Sequence, residues 1–252
     1  MRSRINVLSE LPDAWEDAVK NWSRLNRRFR KKAGDRMLPD ANDEYFLYQT
    51  LIGAWPLDDE QAFLRRIKDY MIKAVREAKV HTAWIKPDTA YEEACLSFIE
   101  NILAPSEKNQ FLAGFLPFQE KIAWYGMLNS LSQTLLKITG PGVPDFYQGT
   151  ELWDLTLVDP DNRRAIDFQK RAAFLSGLRE KEQDPETLLK ELFASWKDGR
   201  IKQFLIYRLL KTRNEHSGLF QNGAYLPLAV EGLRRDNLIA FARMHEGGWA
   251  VA

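Results

Sequence analysis

The chain has 252 residues, a formal net charge of +1, 45% hydrophobic and 28% charged residues, and a single cysteine. That composition suits a globular protein with a sizeable core and gives no electrostatic footing for nucleic acid or an anionic membrane. It excludes an intramolecular disulfide, and no apolar run approaches the ~20 residues of a membrane span, so a cytoplasmic protein is expected.

Residues Met1 to Glu10 carry two arginines and an asparagine but no capping signal, and read as the interior of something longer. From Pro12 the spacing predicts a helix with Trp15, Val19, Trp22, Leu25 and Phe29 on one face and Gly34 as its stop. The basic run Arg24 to Lys32 reads as a solvated face. A second helix is expected over Asp43 to Trp55, closed by Pro56. Asp58-x-x-Gln61 resembles a capping box opening a third, with a stripe of Phe63, Ile67, Tyr70, Ala74 and Ala78. A polar break spans Lys79 to Pro87. Thr89-x-x-Glu92 then caps a fourth helix with Tyr91, Ala94, Phe98 and Ile102 inward, and Cys95 among them as a small buried hydrophobe.

A long helix follows, from about Gln110 to Thr139 with Pro117 inside it, and ends where Pro141 and Pro144 bracket a glycine. Val143 to Tyr147 is fit for one buried strand, after which Gly149 releases the chain into a loop. Helices are expected again over Gln169 to Leu178, Pro185 to Trp196 behind an Asp184 N-cap, and Ile201 to Arg213, with Gly199 between the last two. Tyr225 to Val230 and Leu238 to Met244 are strand-like, and Glu246-Gly247-Gly248 is a hairpin signal before Trp249 to Ala252. The second arm stops at the last residue. Together with the uncapped start, this leads to the expectation that the chain is a piece of a longer protein.

The densest cluster of site-like residues lies between Gly140 and Phe168. Asp159, Asp161, Asn162, Arg163 and Arg164 supply planar, multi-dentate donors and acceptors, and are the leading binding candidates. The alternative for them is an Arg–Asp network that only stabilises the loop. Tyr147, Gln148 and Glu151 are further site candidates, although an ion pair with an interior arginine is the better reading of Glu151. Asp145 is equally suited to holding a neighbouring strand or capping a turn. Lys79, His81, Thr82 and Trp84 form a second candidate group, a polar break carrying an aromatic ring; its plainer reading is an inter-helix turn with a packing tryptophan. Trp15, Trp22, Tyr45 and Tyr48 read as core. Three scattered histidines, His81, His216 and His245, show no metal-ligand spacing, and no cofactor or metal is expected. Asp159 and Asp161 are too close in one loop to suggest a catalytic dyad.

The segment P-G-V-P-D-F-Y-Q-G-T-E-L-W-D followed by D-P-D-N-R-R resembles the last-barrel-strand region of the maltooligosyl trehalose synthase family in the α-amylase superfamily. Gly142, Pro144, Tyr147, Gly149 and Glu151 match the superfamily pattern G-x-P-x-x-Y-x-G-x-E. Leu128 to Lys137, Arg4 to Glu10, Asn42 to Pro56 and Arg76 to Trp84 are also similar to segments of that family.

The resemblance implies a C-terminal fragment of a (β/α)8-barrel enzyme, mainly α with a little β. Residues 1–11 would end an upstream barrel segment and 12–105 would form a helical insertion acting as a lid. Residues 106–180 would form the last barrel helix–strand–loop unit, and 181–252 would hold C-terminal helices and the start of a β-domain. The implied reaction is intramolecular transglucosylation, in which the reducing-end α-1,4 linkage of a maltooligosaccharide becomes an α,α-1,1 linkage. The catalytic carboxylates of the superfamily are expected upstream of residue 1, so the chain alone is expected to be inactive. Its expected partners are the maltooligosaccharide and the rest of the parent polypeptide, with self-association where apolar surface is left uncovered. The rival readings are a non-catalytic maltodextrin-binding module and a helical scaffold.

Overall fold

A computed structural model describes residues 1–57 and 61–252, so the proposed capping box at Asp58-x-x-Gln61 lies outside the described residues. The chain is mainly helical and forms two compact units. The first holds Met1–Asn129 and Leu155–Arg164; the second holds Ser130–Asp154 and Ala165–Ala252.

The first unit contains α1 (Arg2–Leu8), α2 (Pro12–Asn26), α3 (Ala41–Ala54), α4 (Gln61–Ala78), α5 (Thr89–Ile102) and the greater part of α6 (Gln110–Thr139). Its core is aromatic. Trp22 is 1% exposed, with ring centroids of Trp15, Tyr48, Phe111, Phe115 and Phe118 at 5.4–5.8 Å. Edge-to-face packing of this kind adds to simple area burial, and truncating such a residue to alanine costs about 3–5 kcal/mol. The core reading of Trp15, Trp22 and Tyr48 therefore holds, while Tyr45 stands at the rim with its hydroxyl accepting from Trp15 Nε1 at 3.0 Å.

Helix α1 packs against α6 at Gly126, where a Cβ would stand 2.9 Å from the Arg4 Cα. Only glycine permits that approach. Arg4 itself is buried and donates to the Trp55 carbonyl at 2.7 Å. Two N-caps are aspartates: Asp40 accepts from Asp43 N at 2.8 Å, and Asp88 from Tyr91 N at 3.0 Å. Asp88, one residue before the expected Thr89, caps α5: its carboxylate takes the Tyr91 N–H, while Glu92, the far end of the expected capping box, is held by Arg76.

Gly34 does not end a helix. It sits at φ +60° in the turn of a short hairpin, β1 (Lys31–Ala33) and β2 (Arg36–Leu38), and α2 has already stopped at Asn26.

In the second unit the tail of α6 is followed by α7 (Phe168–Lys181), α8 (Pro185–Ala194), α9 (Arg200–Glu215) and α10 (Ser217–Gln221). Asp184 caps α8 as expected, accepting from Thr187 N at 3.2 Å. The three-stranded antiparallel sheet runs β3 (Ala224–Pro227), β4 (Phe241–His245) and β5 (Gly248–Val251), with Glu246 and Gly247 both at positive φ in the turn. The carbonyls at the end of α6, which no helical N–H can satisfy, are taken by two arginines. Arg213 serves Ile138, Gly140 and Gly142; Arg243 serves Thr139 at 3.3 Å together with Phe220 and Gly223.

A further expectation is overturned. Val143 to Tyr147 forms no strand, and Val143 and Tyr147 are exposed. A strand exists only through ladder partners, and among the described residues this segment has none; its ties are local, with the Asp145 carbonyl accepting from Lys137 Nζ at 2.8 Å and the Tyr147 carbonyl from Thr150 N at 3.1 Å. Among the described residues, no helix is long and apolar enough to cross a membrane.

Candidate functional site

Two of the sequence-derived groups fall in the first unit, and both are tied to helix α4. The loop at 155–164 carries a short 3-10 turn over Asp161–Arg163. Arg66, from α4, forks onto Asp161: Nε donates to Oδ1 at 2.8 Å and Nη2 to Oδ2 at 2.8 Å. The same Nη2 reaches the Leu155 carbonyl at 3.0 Å, and Leu157 N donates to Asp161 Oδ2 at 2.7 Å. Both side chains are largely buried, at 15% and 13% exposure. Burial alone would push the Asp161 carboxyl up. The Arg66 fork, the Leu157 amide and the nearby Arg164 outweigh it and hold the carboxyl below its ordinary value.

Asp161 thus spends its oxygens inside the protein. The other members of D-P-D-N-R-R face solvent: Asp159 and Arg163 pair with each other, Arg164 Nε donates to the Asp161 carbonyl at 3.1 Å, and Asn162 is exposed. A buried charge-assisted knot beneath exposed Asp, Asn and Arg side chains can recognise hydroxyls; it provides no pair of carboxylates for acid–base work.

The second loop, at 79–88, is fastened by three helices. Thr82 is buried, donates to Glu92 Oε1 at 2.7 Å and accepts from Asp88 N at 2.9 Å. Glu92 is also forked by Arg76, at 2.8 and 2.6 Å, and that pairing with the Thr82 bond keeps its carboxyl low despite burial. The Arg76 guanidinium lies over the Trp84 ring at 4.9 Å, and the rest of the ring is exposed. His81 Nε2 is 2.7 Å from Asp40 Oδ2, and its ring stacks on Tyr91 with centroids 4.4 Å apart.

At the root of this loop Lys79 adopts φ +56°, a left-handed conformation that disfavours residues bearing a Cβ. Its side chain is exposed. The tip, Val80, Trp84 and Ile85, is apolar and bare.

Thr82 is consequently a fastening residue, while Lys79 and Trp84 are presented outward. Asp40, Asp43 and His81 bring one ligand atom each within 4.8 Å of one another, a juxtaposition the sequence spacing did not reveal. Their atoms are already engaged: Asp40 by His81 and the Asp43 amide, and Asp43 by the Tyr91 hydroxyl. Burial, with the neighbouring Asp40 adding to it, raises the Asp43 carboxyl despite the Tyr91 bond. The cluster works as a latch for the loop.

In the second unit Glu151 pairs with Arg171 at 3.0 Å, and Arg171 also donates to the Gly149 carbonyl at 2.9 Å. Glu151 borders a cavity of about 460 Å³ along α7 and α9, with Leu175, Ile206, Tyr207 and Leu210. Tyr147 and Gln148 are exposed nearby in sequence. The residues that sequence reading missed are Arg66 and Arg76. Each partners a carboxylate remote in the chain, and no local pattern announces that.

No family model matches the chain. Individual proteins similar to it do exist. A crystal structure of a maltooligosyl trehalose synthase superposes with a TM-score of 0.81 and 37% identity, covering 96% of this chain and 30% of that one. The chain resembles maltooligosyl trehalose synthases along nearly its whole length. A Sulfolobus tokodaii structure titled as a hypothetical maltooligosyl trehalose synthase gives a TM-score of 0.75 at 36% identity, over 96% of this chain and 30% of that one. A Mycobacterium tuberculosis protein named as such a synthase is 34% identical over 96% of this chain, which spans 28% of its length. The family resemblance carried by D-P-D-N-R-R and the Gly142–Glu151 segment is therefore shared by the rest of the chain.

Proposed function

We propose that this chain forms one part of an intramolecular transglucosylase acting on maltooligosaccharides, a (1→4)-α-D-glucan 1-α-D-glucosylmutase that leaves a trehalose unit at the former reducing end. The observation that carries this reading is a coincidence of sequence and geometry. The D-P-D-N-R-R segment sits in a loop whose base is locked by Arg66 and whose Asp159, Asn162, Arg163 and Arg164 face outward, within a chain similar throughout to maltooligosyl trehalose synthases.

A retaining transfer needs two carboxyl groups about 5 Å apart, one as nucleophile and one as acid and then base. Those groups lie outside this chain in our reading. What the chain contributes is recognition and containment: hydroxyl contacts from the 155–164 loop, and a cation and an exposed indole from Lys79 and Trp84. The glucose freed by the first step has to turn and attack through its own anomeric hydroxyl, so it must be held and water kept out. A rigid, fastened 79–88 loop serves that purpose as a lid.

The test compares the longer polypeptide containing this chain with the chain alone on maltohexaose. The longer polypeptide is expected to remove reducing ends without releasing a matching amount of glucose, and the chain alone to leave them unchanged. Conversion by the chain alone, or glucose as the sole product of the longer polypeptide, would refute the proposal.

A further inference from the structure

We infer that Arg66 is a positioning residue for the carbohydrate: from helix α4 it fixes the 155–164 loop in the one conformation that presents Asp159, Asn162, Arg163 and Arg164 to the sugar. This rests on the reading above that the loop meets substrate.

Arg66 turns its donors onto the loop. Nε and Nη2 take both oxygens of Asp161, and Nη2 takes the Leu155 carbonyl as well. A guanidinium holds such a fork in a fixed plane, which an ammonium on a flexible stem cannot do. Asp161 in turn fixes Leu157 N, so the fork reaches the chain at Leu155, at Leu157 and at Asp161 itself. The exposed members of the loop then hang from a frame with little freedom left. Asn162 lies inside the 3-10 turn that opens with Asp161, and Arg164 Nε closes back on the Asp161 carbonyl.

Neither partner of the fork is a candidate for sugar contact, since both are mostly buried. Their contribution to recognition is to remove the loop's alternatives before the ligand arrives, which lowers the ordering entropy that binding would otherwise have to supply. A misplacement of about 1 Å in such a contact set costs up to a hundredfold in rate or affinity.

The experiment uses the full-length polypeptide with Arg66→Lys, which keeps the charge and loses the fork, and the exchanged pair Arg66→Asp with Asp161→Arg, which restores a fork of reversed polarity. Two readouts are taken: amide hydrogen exchange over 155–164, and kcat and KM for maltopentaose. Arg66→Lys is expected to speed exchange in 155–164 while β3–β5 is unchanged, and to raise KM roughly tenfold with a smaller change in kcat. The exchanged pair should recover part of both effects. Unchanged exchange in Arg66→Lys overturns the inference. So does faster exchange with an unchanged KM, provided Asn162→Ala and Arg163→Ala do raise KM, in which case the loop still binds sugar without needing Arg66. If those two surface variants also leave KM unchanged, the reading of the loop as a substrate site falls, and the inference with it.

Discussion

Arg66 and Arg76 stand on the same helix and each forks a buried carboxylate, yet Arg66 grips an acid carried by its loop and Arg76 an acid carried by the neighbouring helix α5. The 155–164 loop is tied to α4 by that fork, with Leu157 buried in the core beside it. The 79–88 loop is held by many weaker ties: the Thr82 hydroxyl on Glu92, the Asp88 amide on Thr82, His81 on Asp40, and the indole over Arg76. Loss of the fork should therefore loosen the first loop more than loss of any one tie loosens the second. In both, the carboxylates at the centre of the fastening are buried and, Trp84 apart, the groups that would meet a ligand are not among the ties, so stability and binding should largely separate by residue.

The largest effect is expected where the single fork is cut. Asp161→Ala leaves the Arg66 guanidinium mostly buried without its counter-ion and should cost about 3 kcal/mol, read as a shift of the denaturant midpoint. The same fork has a pH signature. Because the folded Asp161 carboxyl is held below its ordinary value, its stabilisation is complete above about pH 4 and is lost only as pH falls through the lower folded value. The wild-type minus Asp161→Ala stability difference should therefore be flat from neutral pH down to that range and shrink below it.

Thr82→Val removes one tie among several. It strands the Asp88 amide and weakens one side of Glu92, for an expected loss of about 1–2 kcal/mol in the same measurement. A loss as large as that of Asp161→Ala would mean that the two loops are not fastened differently.

Lys79→Gly should move stability the other way. It relieves the left-handed backbone at φ +56° and should raise stability by up to about 1 kcal/mol, while maltopentaose affinity falls if the ammonium meets sugar. Unchanged affinity would make Lys79 a turn residue only. Asp159→Ala and Arg163→Ala should change stability by less than about 0.5 kcal/mol, since they form an exposed pair, and yet weaken sugar binding.

The sequence carried the helices well, because apolar stripes such as Trp15, Trp22 and Phe63, Ile67 are local and periodic. Asp184 was legible as a cap for the same reason. The β1–β2 hairpin was not, since Lys31–Ala33 and Arg36–Leu38 are short and half of their residues are charged, and Gly34 fits a helix stop as well as a turn. Val143 to Tyr147 had the composition of a buried strand, but composition cannot supply a partner. At the candidate site, the residue types in D-P-D-N-R-R marked a polar loop. They did not distinguish Asp161, which anchors, from Asp159, which is exposed, because that depends on Arg66, far away in the chain.

The most direct test of the account is an NMR titration of the chain with maltopentaose, following backbone amides together with the Trp84 indole. The expected result is that shifts concentrate at 79–86 and 159–164 while the aromatic core around Trp22 stays still. Shifts centred on other surfaces, or none at millimolar sugar, would contradict it.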